Sequence, residues 1–208
     1  MSKDMTQEEA KAKIVEYANN TSRTIIGIVG KPGGGKSTLS KYLLKGMDPS
    51  LVSVVPMDGF HLSNKVLKDL GRSDRKGAQD TFDVKGFTTL IARIKSDGAV
   101  PIYYPIFDRA IEESIAAQGV VYPSTRVIIV EGNYLMHDQN GWEEVSPLLD
   151  QSWYAYLDED IRISRLISRH IAFGKDPESA KAWAKGSDQV NAELIELGVA
   201  RCDFLIRT

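Results

Sequence analysis

The residues Gly30-Lys31-Pro32-Gly33-Gly34-Gly35-Lys36-Ser37 have the makings of a phosphate cradle. Gly30, Gly33, Gly34 and Gly35 let the backbone wrap closely around an anion, turning successive N–H groups and a helix N-terminus toward it. The spacing is that of the G-x-x-x-x-G-K-[ST] loop. In that loop Lys36 adds a cation at the β/γ-phosphates of a nucleoside triphosphate, and Ser37 offers a hydroxyl to Mg²⁺. Thr38 follows at the same helix start and is counted with the nucleotide site. A glycine-rich turn with an incidental lysine would satisfy the string but not its context. An apolar run, Thr24 to Val29, leads in, and a helical pattern leads out. The expected ligands are ATP and Mg²⁺.

Two carboxylates stand where such a site needs them. Asp58 closes the run LVSVVPMD, and Glu131 follows RVIIV in VEGNYL. Ligands of open α/β sheets bind beyond the carboxyl ends of the strands, so acids there are placed to act. Either residue alone could be an ordinary strand-ending turn residue; beside a phosphate-binding loop, each gains two chemical uses. A carboxylate near the γ-phosphate can hold Mg²⁺ through water, or it can accept the proton of an attacking hydroxyl.

The elements that must position these groups follow from periodicity. Short apolar runs at Thr24 to Val29, Leu51 to Val55, Val127 to Val130, Ser152 to Leu157 and Asp203 to Ile206 alternate with helical patterns. The helices fall at Ser37 to Lys45, Asn64 to Leu70, Val84 to Ser96, Glu159 to Phe173 and Pro177 to Leu197, with Asp83, Asp158 and Asp176 as N-cap candidates. A capping box, Thr6 to Glu9, opens a further helix that ends near Asn19-Asn20, within an N-terminal segment 1–22. This alternation predicts an α/β fold: a three-layer P-loop NTPase with a mostly parallel sheet covered by helices on both faces. Two stretches interrupt it. Gly71 to Asp83 is a polar loop, and Pro101 to Tyr122 reads as a small antiparallel excursion. No linker or repeat divides the 208 residues, so a single domain, 1–208, is expected.

Composition narrows the partners. Hydrophobic residues at 42% and charged residues at 26% describe a chain able to bury a core. A formal net charge of -2 provides no global field for nucleic acid or an anionic membrane. The single cysteine, Cys202, has no disulfide partner within the chain, no leader pattern opens it, and no apolar run approaches the roughly 20 residues of a membrane span. A cytoplasmic protein that binds neither nucleic acid nor membrane is expected. Trp142, Trp153 and Trp183 read as packing anchors.

Four strings in order, VPMDGFH, the RKG…TFD loop, YYPIFDR and VEGNYL, together with the phosphate loop, carry a resemblance. The chain resembles the P-loop kinases related to uridine kinase, phosphoribulokinase and type I pantothenate kinase, and is most similar to small bacterial fructokinases or fructose transport system kinases. The resemblance spans nearly everything from Thr24 to Ile206. It implies an ATP-dependent kinase with Asp58 as catalytic base, Lys36 at the transferred phosphate, and Glu131 as a second, Mg²⁺-associated acid. It also implies an acceptor pocket built from Phe60 and His61, from Arg75 and Lys76, and from Tyr104 and Arg109, with Phe82 and Phe107 nearby. The aromatic members fit a core equally well. Arg75-Lys76-Gly77 suits an acidic part of the acceptor, the nucleotide, or a solvated charge pair.

The pattern after Asp158 sets Arg162, Arg165 and Arg169 in a stripe, with Ile163, Leu166, Ile167 and Ile171 on a separate face. The helix then breaks at Gly174. A solvated face would account for the stripe; by resemblance, the region from about 169 to 185 is a lid that closes over ATP, with Arg165 and Arg169 as nucleotide contacts. Relatives often self-associate, so a homo-oligomer is one option.

A regulatory GTPase is disfavoured because no N-K-x-D string reads guanine; Asn64-Lys65-Val66-Leu67 lacks the aspartate. A non-catalytic nucleotide module would need neither Asp58 nor Glu131. The sequence therefore predicts a kinase for a hydroxyl of a small metabolite, a sugar in first place and a nucleoside or pantothenate-like acid as alternatives.

Overall fold

The structure, a computed structural model, describes residues 2–96 and 98–208, so Met1 at the head of the 1–22 segment lies outside the described residues. Its centre is a six-stranded parallel sheet. In chain order the strands are β1 (Lys3–Asp4), β2 (Thr24–Val29), β3 (Val52–Pro56), β6 (Val127–Gly132), β7 (Gln151–Tyr156) and β8 (Phe204–Arg207). A separate antiparallel pair is formed by β4 (Ile102–Asp108) and β5 (Glu113–Val121). The spatial order of the sheet, β1-β8-β7-β2-β6-β3, puts the strand that feeds the phosphate loop between β7 and β6.

Alternation along the strands builds two cores. Val127 and Ile129 of β6 point to one face with Ile26 and Ile28 of β2, where they meet α1 (Gln7–Ala18) and α2 (Lys36–Leu44) through Ile14, Leu39 and Leu43. Ile128 and Val130 point to the other face with Ile25 and Val29, against Phe87 and Ile91 of α4 (Val84–Ser96) and against Ile102 and Tyr104 of the hairpin. This strict in-out pattern is why a parallel sheet covered on both sides reads as continuous apolar runs. No helix among the described residues is long and apolar enough to cross a membrane.

Caps fix most helix starts. The Glu9 N–H donates to Thr6 Oγ1 at 3.1 Å and the Thr6 N–H to Glu9 Oε2 at 2.8 Å, a reciprocal capping box. Asp83 accepts from the Gly86 N–H at 2.8 Å, and Asp176 from the Ser179 N–H at 3.0 Å. Asp158 differs from expectation: its carboxylate caps no N–H of α5 (Glu159–Ala172) and pairs with Arg207 instead.

Three further expectations are corrected. Lys3–Asp4 adds a short parallel edge strand to β8 ahead of the N-terminal helix. The helix expected at Pro177 to Leu197 is two, α6 (Pro177–Lys185) and α7 (Ser187–Glu196), because Gly186 takes a non-helical ψ of -101°. On α5 the buried side chains are Arg162 and Leu166, while Ile171 is exposed. The remaining short helix, α3 (Asn64–Asp69), begins at a Ser63 cap.

Candidate active site

The loop between β2 and α2 keeps its shape through close approaches that only glycine permits. Gly35 sits at φ +89°, and a Cβ there would fall 2.0 Å from Thr208 Oγ1. The Gly34 N–H donates to Lys31 O at 2.9 Å, closing the turn that runs from Gly30 through Gly33. Lys36, the first residue of α2, folds back over this turn. Its Nζ donates to Gly30 O at 2.8 Å, to Lys31 O at 3.2 Å and to Asn133 Oδ1 at 2.6 Å. Burial lowers the Lys36 pKa to about 8, opposed by the carboxylates of Glu131 and Asp58 and assisted by Arg169 and Arg109.

The register of the sheet brings Glu131 to the same place. Glu131 of β6 lies opposite Ile28 of β2 and Pro56 of β3, at the carboxyl ends of all three strands. Ser37 Oγ donates to Glu131 Oε1 at 2.5 Å and Ser40 Oγ to Glu131 Oε2 at 3.1 Å. Asp58 lies in the turn Met57–Phe60 just past β3. Gly59 lets the hairpin close on that turn, since a Cβ there would meet Pro105 O at 2.0 Å. The approach carries Arg109, just beyond β4, to Asp58: guanidinium and carboxylate pair at 2.5 Å.

Lys36, Ser37, Asp58, Glu131, His61, Lys76, Arg109 and Arg169 line one cleft of about 420 Å³. His61 Nδ1 lies 2.8 Å from Asp58 O, and its ring packs at a tilt against Phe82 and Phe107. Because a carbonyl only accepts, Nδ1 carries the proton, and burial lowers the His61 pKa. Lys76 Nζ donates to Asn64 Oδ1 at 2.6 Å and to Glu112 O at 2.5 Å.

Other sequence candidates lie elsewhere. Phe60 is buried against Phe87, and Tyr104 is buried with its hydroxyl donating to Val54 O at 2.8 Å; both support the cleft from below. Arg75 turns away to Asp80 Oδ2 at 3.0 Å. Thr38 and Arg165 are exposed outside the cleft lining. Trp142 and Trp153 are fully buried, but Trp183 lines the cleft.

The structure adds residues that sequence reasoning passed over. Asn133 stands two places after Glu131 in VEGNYL and accepts from Lys36 Nζ at 2.6 Å. Asp188 and Asn191 of α7 reach the cleft as buried polar side chains, Asp188 meeting His170 Nε2 at 2.6 Å. Arg162 is fully buried, and its N–H groups reach Pro32 O at 2.9 Å, Glu159 Oε1 at 2.5 Å and Gln189 Oε1 at 2.7 Å. It grips the phosphate loop from behind.

A model of the phosphoribulokinase and uridine kinase family matches residues 25–185, from the strand entering the phosphate loop through α6. The chain belongs to the phosphoribulokinase/uridine kinase family. A candidate uridine kinase of Schizosaccharomyces pombe is 30% identical over 213 residues, covering 96% of this chain and 89% of its own. An ATP-dependent kinase of Kluyveromyces lactis is 27% identical over 237 residues, covering 91% of this chain and 67% of its own. Among solved structures, a candidate fructose transport system kinase from Silicibacter sp. TM1040 is 36% identical and superposes with a TM-score of 0.85, covering 97% of this chain and 98% of that one. This member of the phosphoribulokinase/uridine kinase family is accordingly a P-loop kinase that uses ATP and acts on a small molecule.

Proposed function

We propose that the kinase transfers the γ-phosphoryl group of ATP to a hydroxyl of a sugar-like metabolite, with Asp58 receiving the hydroxyl's proton. One observation carries the reading: Asp58 and Lys36 line the same cleft, a carboxylate facing the phosphate-binding lysine. An alcohol is a poor nucleophile, but a loose transition state asks little of it until late, so an ordinary carboxylate suffices as base. Lys36 offsets charge on the transferred group.

The oxygen donors fit Mg²⁺. Ser37 hydroxyl and Glu131 carboxylate already touch and would hold the ion, and Asp58, which lines the same cleft, would add a third hard ligand. Among the described residues no group of three or more His, Cys, Asp or Glu side chains forms a cage. When bound, Mg²⁺ neutralises charge on the β- and γ-phosphates.

Residues 169–185 act as the lid in this reading. The Arg169 side chain lines the cleft without a hydrogen bond or ion pair among the described residues; it is exposed to solvent at the cleft mouth, and partial desolvation there with the nearby Arg109 charge lowers its pKa. Closure over ATP would give it a phosphate partner and exclude water. A sugar acceptor is supported by the name of the Silicibacter relative and by the polar lining of the cleft. A nucleoside acceptor is the second reading, favoured by the name of the Schizosaccharomyces pombe relative. Screening hydroxyl-bearing metabolites for stimulated ADP release tests the proposal. Stimulation by a polyhydroxyl compound, abolished in Asp58→Asn, is expected; acceptor-independent ATP hydrolysis alone would overturn it.

A further inference from the structure

We propose that the acceptor carries an anionic group, a carboxylate or a phosphate ester, which sits between Lys76 and Arg109 beside Asp58. The proposal rests on the phosphotransferase reading and narrows its acceptor.

Lys76 is a cation without a salt-bridge partner among the described residues. Its ammonium donates to two neutral oxygens, Asn64 Oδ1 at 2.6 Å and the Glu112 carbonyl at 2.5 Å, and lies 5.0 Å from the centre of the Phe107 ring. No carboxylate among the described residues comes within ion-pair distance of it. Glu112 hydrogen-bonds it only through the backbone and the Glu113 carboxylate is engaged by the Asn64 N–H at 2.9 Å, so both carboxylates act on Lys76 only from beyond ion-pair distance. Three N–H donors meet two partners, leaving one for a ligand. Burial, helped by the Arg109 charge, pushes the Lys76 pKa down although the Glu112 and Glu113 carboxylates oppose it, so their compensation is partial.

The neighbouring charges do not supply the missing anion. Arg109 lies over the same Phe107 ring, its guanidinium carbon 5.2 Å from the centre, and pairs with Asp58. Asp58 is thereby matched, and Arg109 retains further N–H groups in a planar fork suited to carboxylate or phosphate. ATP brings its own negative charge to Lys36 at the phosphate loop, and Arg169 lies within reach of both Lys36 and Arg109. A neutral polyol would offer Lys76 another dipole and leave its charge only partly compensated; an anionic acceptor would remove that cost. The competing account makes Lys76 a stitch between loop 71–83 and the hairpin turn at Glu112. A stitch predicts lost stability and no discrimination by ligand charge.

The test uses matched ligands: glycerol, D-glycerate and glycerol 3-phosphate, then D-fructose, D-gluconate and D-fructose 6-phosphate. Binding is measured by calorimetry with the phosphate loop filled by Mg²⁺ and a non-hydrolysable ATP analogue, so that the anion cannot occupy the γ-phosphate position. At least one charged member should bind about tenfold tighter than its neutral parent, and Lys76→Met should erase the difference. The carboxylate and phosphate arms identify which anion is read. Asn64→Asp, which sets a carboxylate beside Lys76, should erase it too and serves if Lys76→Met does not fold. Neutral ligands binding as tightly, a charge preference surviving in either folded variant, or failure of every charged ligand to bind would overturn the proposal. Charged ligands that bind yet receive no phosphate from ATP would leave it standing and sink the phosphotransferase reading. Equal transfer to charged and neutral members would do the reverse.

Discussion

Arg109 and Asp58, 51 positions apart in the chain, meet at 2.5 Å in the cleft. The contact ties the β4–β5 hairpin to the turn after β3, so the element that interrupts the parallel fold also orients the Asp58 carboxylate. Arg109→Gln should therefore reduce phosphoryl transfer and leave ATP affinity nearly unchanged, a separation that kcat and nucleotide Kd measured together will show. Equal loss of both would place Arg109 at the nucleotide instead.

Lys36 gives the pH dependence. Its pKa is depressed to about 8 by burial, and bound phosphate favours the charged form. Below pH 8 the lysine is already protonated; above it, binding must take up a proton, so ATP affinity should fall by up to about tenfold per pH unit toward the ordinary lysine pKa. In the ligand-free protein the sign is opposite, because the unfolded chain holds this proton more tightly: Lys36 should add stability as pH rises from 8 toward 10.5. Calorimetry in buffers of different ionisation enthalpy reads the proton uptake directly. Lys36→Met should abolish the uptake and weaken Mg·ATP binding.

Arg169 and Arg165 should separate cleanly. Both side chains are exposed, but Arg169 lines the cleft without a side-chain partner among the described residues, whereas Arg165 lies outside the lining. Arg169→Gln should lower turnover by roughly 10²-fold, the scale of removing one transition-state donor. It should leave stability within about 0.5 kcal/mol. Arg165→Gln should change neither. A comparable activity loss in both variants would argue against the assignment of Arg169 alone to the nucleotide.

Arg162 is predicted to act through the phosphate loop. Arg162→Met preserves bulk and removes the donors to Pro32 O, Glu159 and Gln189. It should cost about 2–3 kcal/mol of stability, as the loss of buried charge-assisted hydrogen bonds does. Urea unfolding with and without ATP measures this, and the stabilisation that ATP confers should shrink as well. An unchanged ATP increment would limit Arg162 to a structural role.

Much of the fold was legible because the signals are local. Val127 to Val130 alternates between two faces and must be a buried strand; Thr6 and Glu9 satisfy each other three residues apart. The phosphate loop is likewise contiguous, so Lys36 and Ser37 could be placed from spacing alone, and Asp58 and Glu131 from their strand ends. Gly186 was harder to read, because glycine inside a helical pattern is tolerated as often as it breaks one. The two-residue strand Lys3–Asp4 has no periodicity of its own and exists only because β8 offers an edge.

The rest of the site depends on contacts between distant segments. Arg162 shares its stripe with Arg165 and Arg169, and no periodicity reveals that Pro32, 130 positions away, supplies a carbonyl that buries it. Tyr104 and Phe60 lie in the right segments for an acceptor, but their side chains point into the core. Asp188 and Asn191 enter the cleft only because the chain turns at Gly186 and brings α7 back over it. Sequence motifs thus located the strand ends, while tertiary packing decided which side chains face the cleft.

The central claim is that Asp58 receives the proton of the acceptor hydroxyl. It is tested most directly by single-turnover phosphoryl transfer in Asp58→Asn, with saturating Mg·ATP and the acceptor found by the ADP-release screen. Saturating metal restores occupancy if Asp58 also helps to hold Mg²⁺, leaving the chemical step exposed. The predicted result is a loss of about 10²–10⁴ in rate, roughly 3–5 kcal/mol of barrier, with nucleotide binding retained. A rate within about tenfold of the unaltered kinase, below the range expected for a general base, would contradict the account.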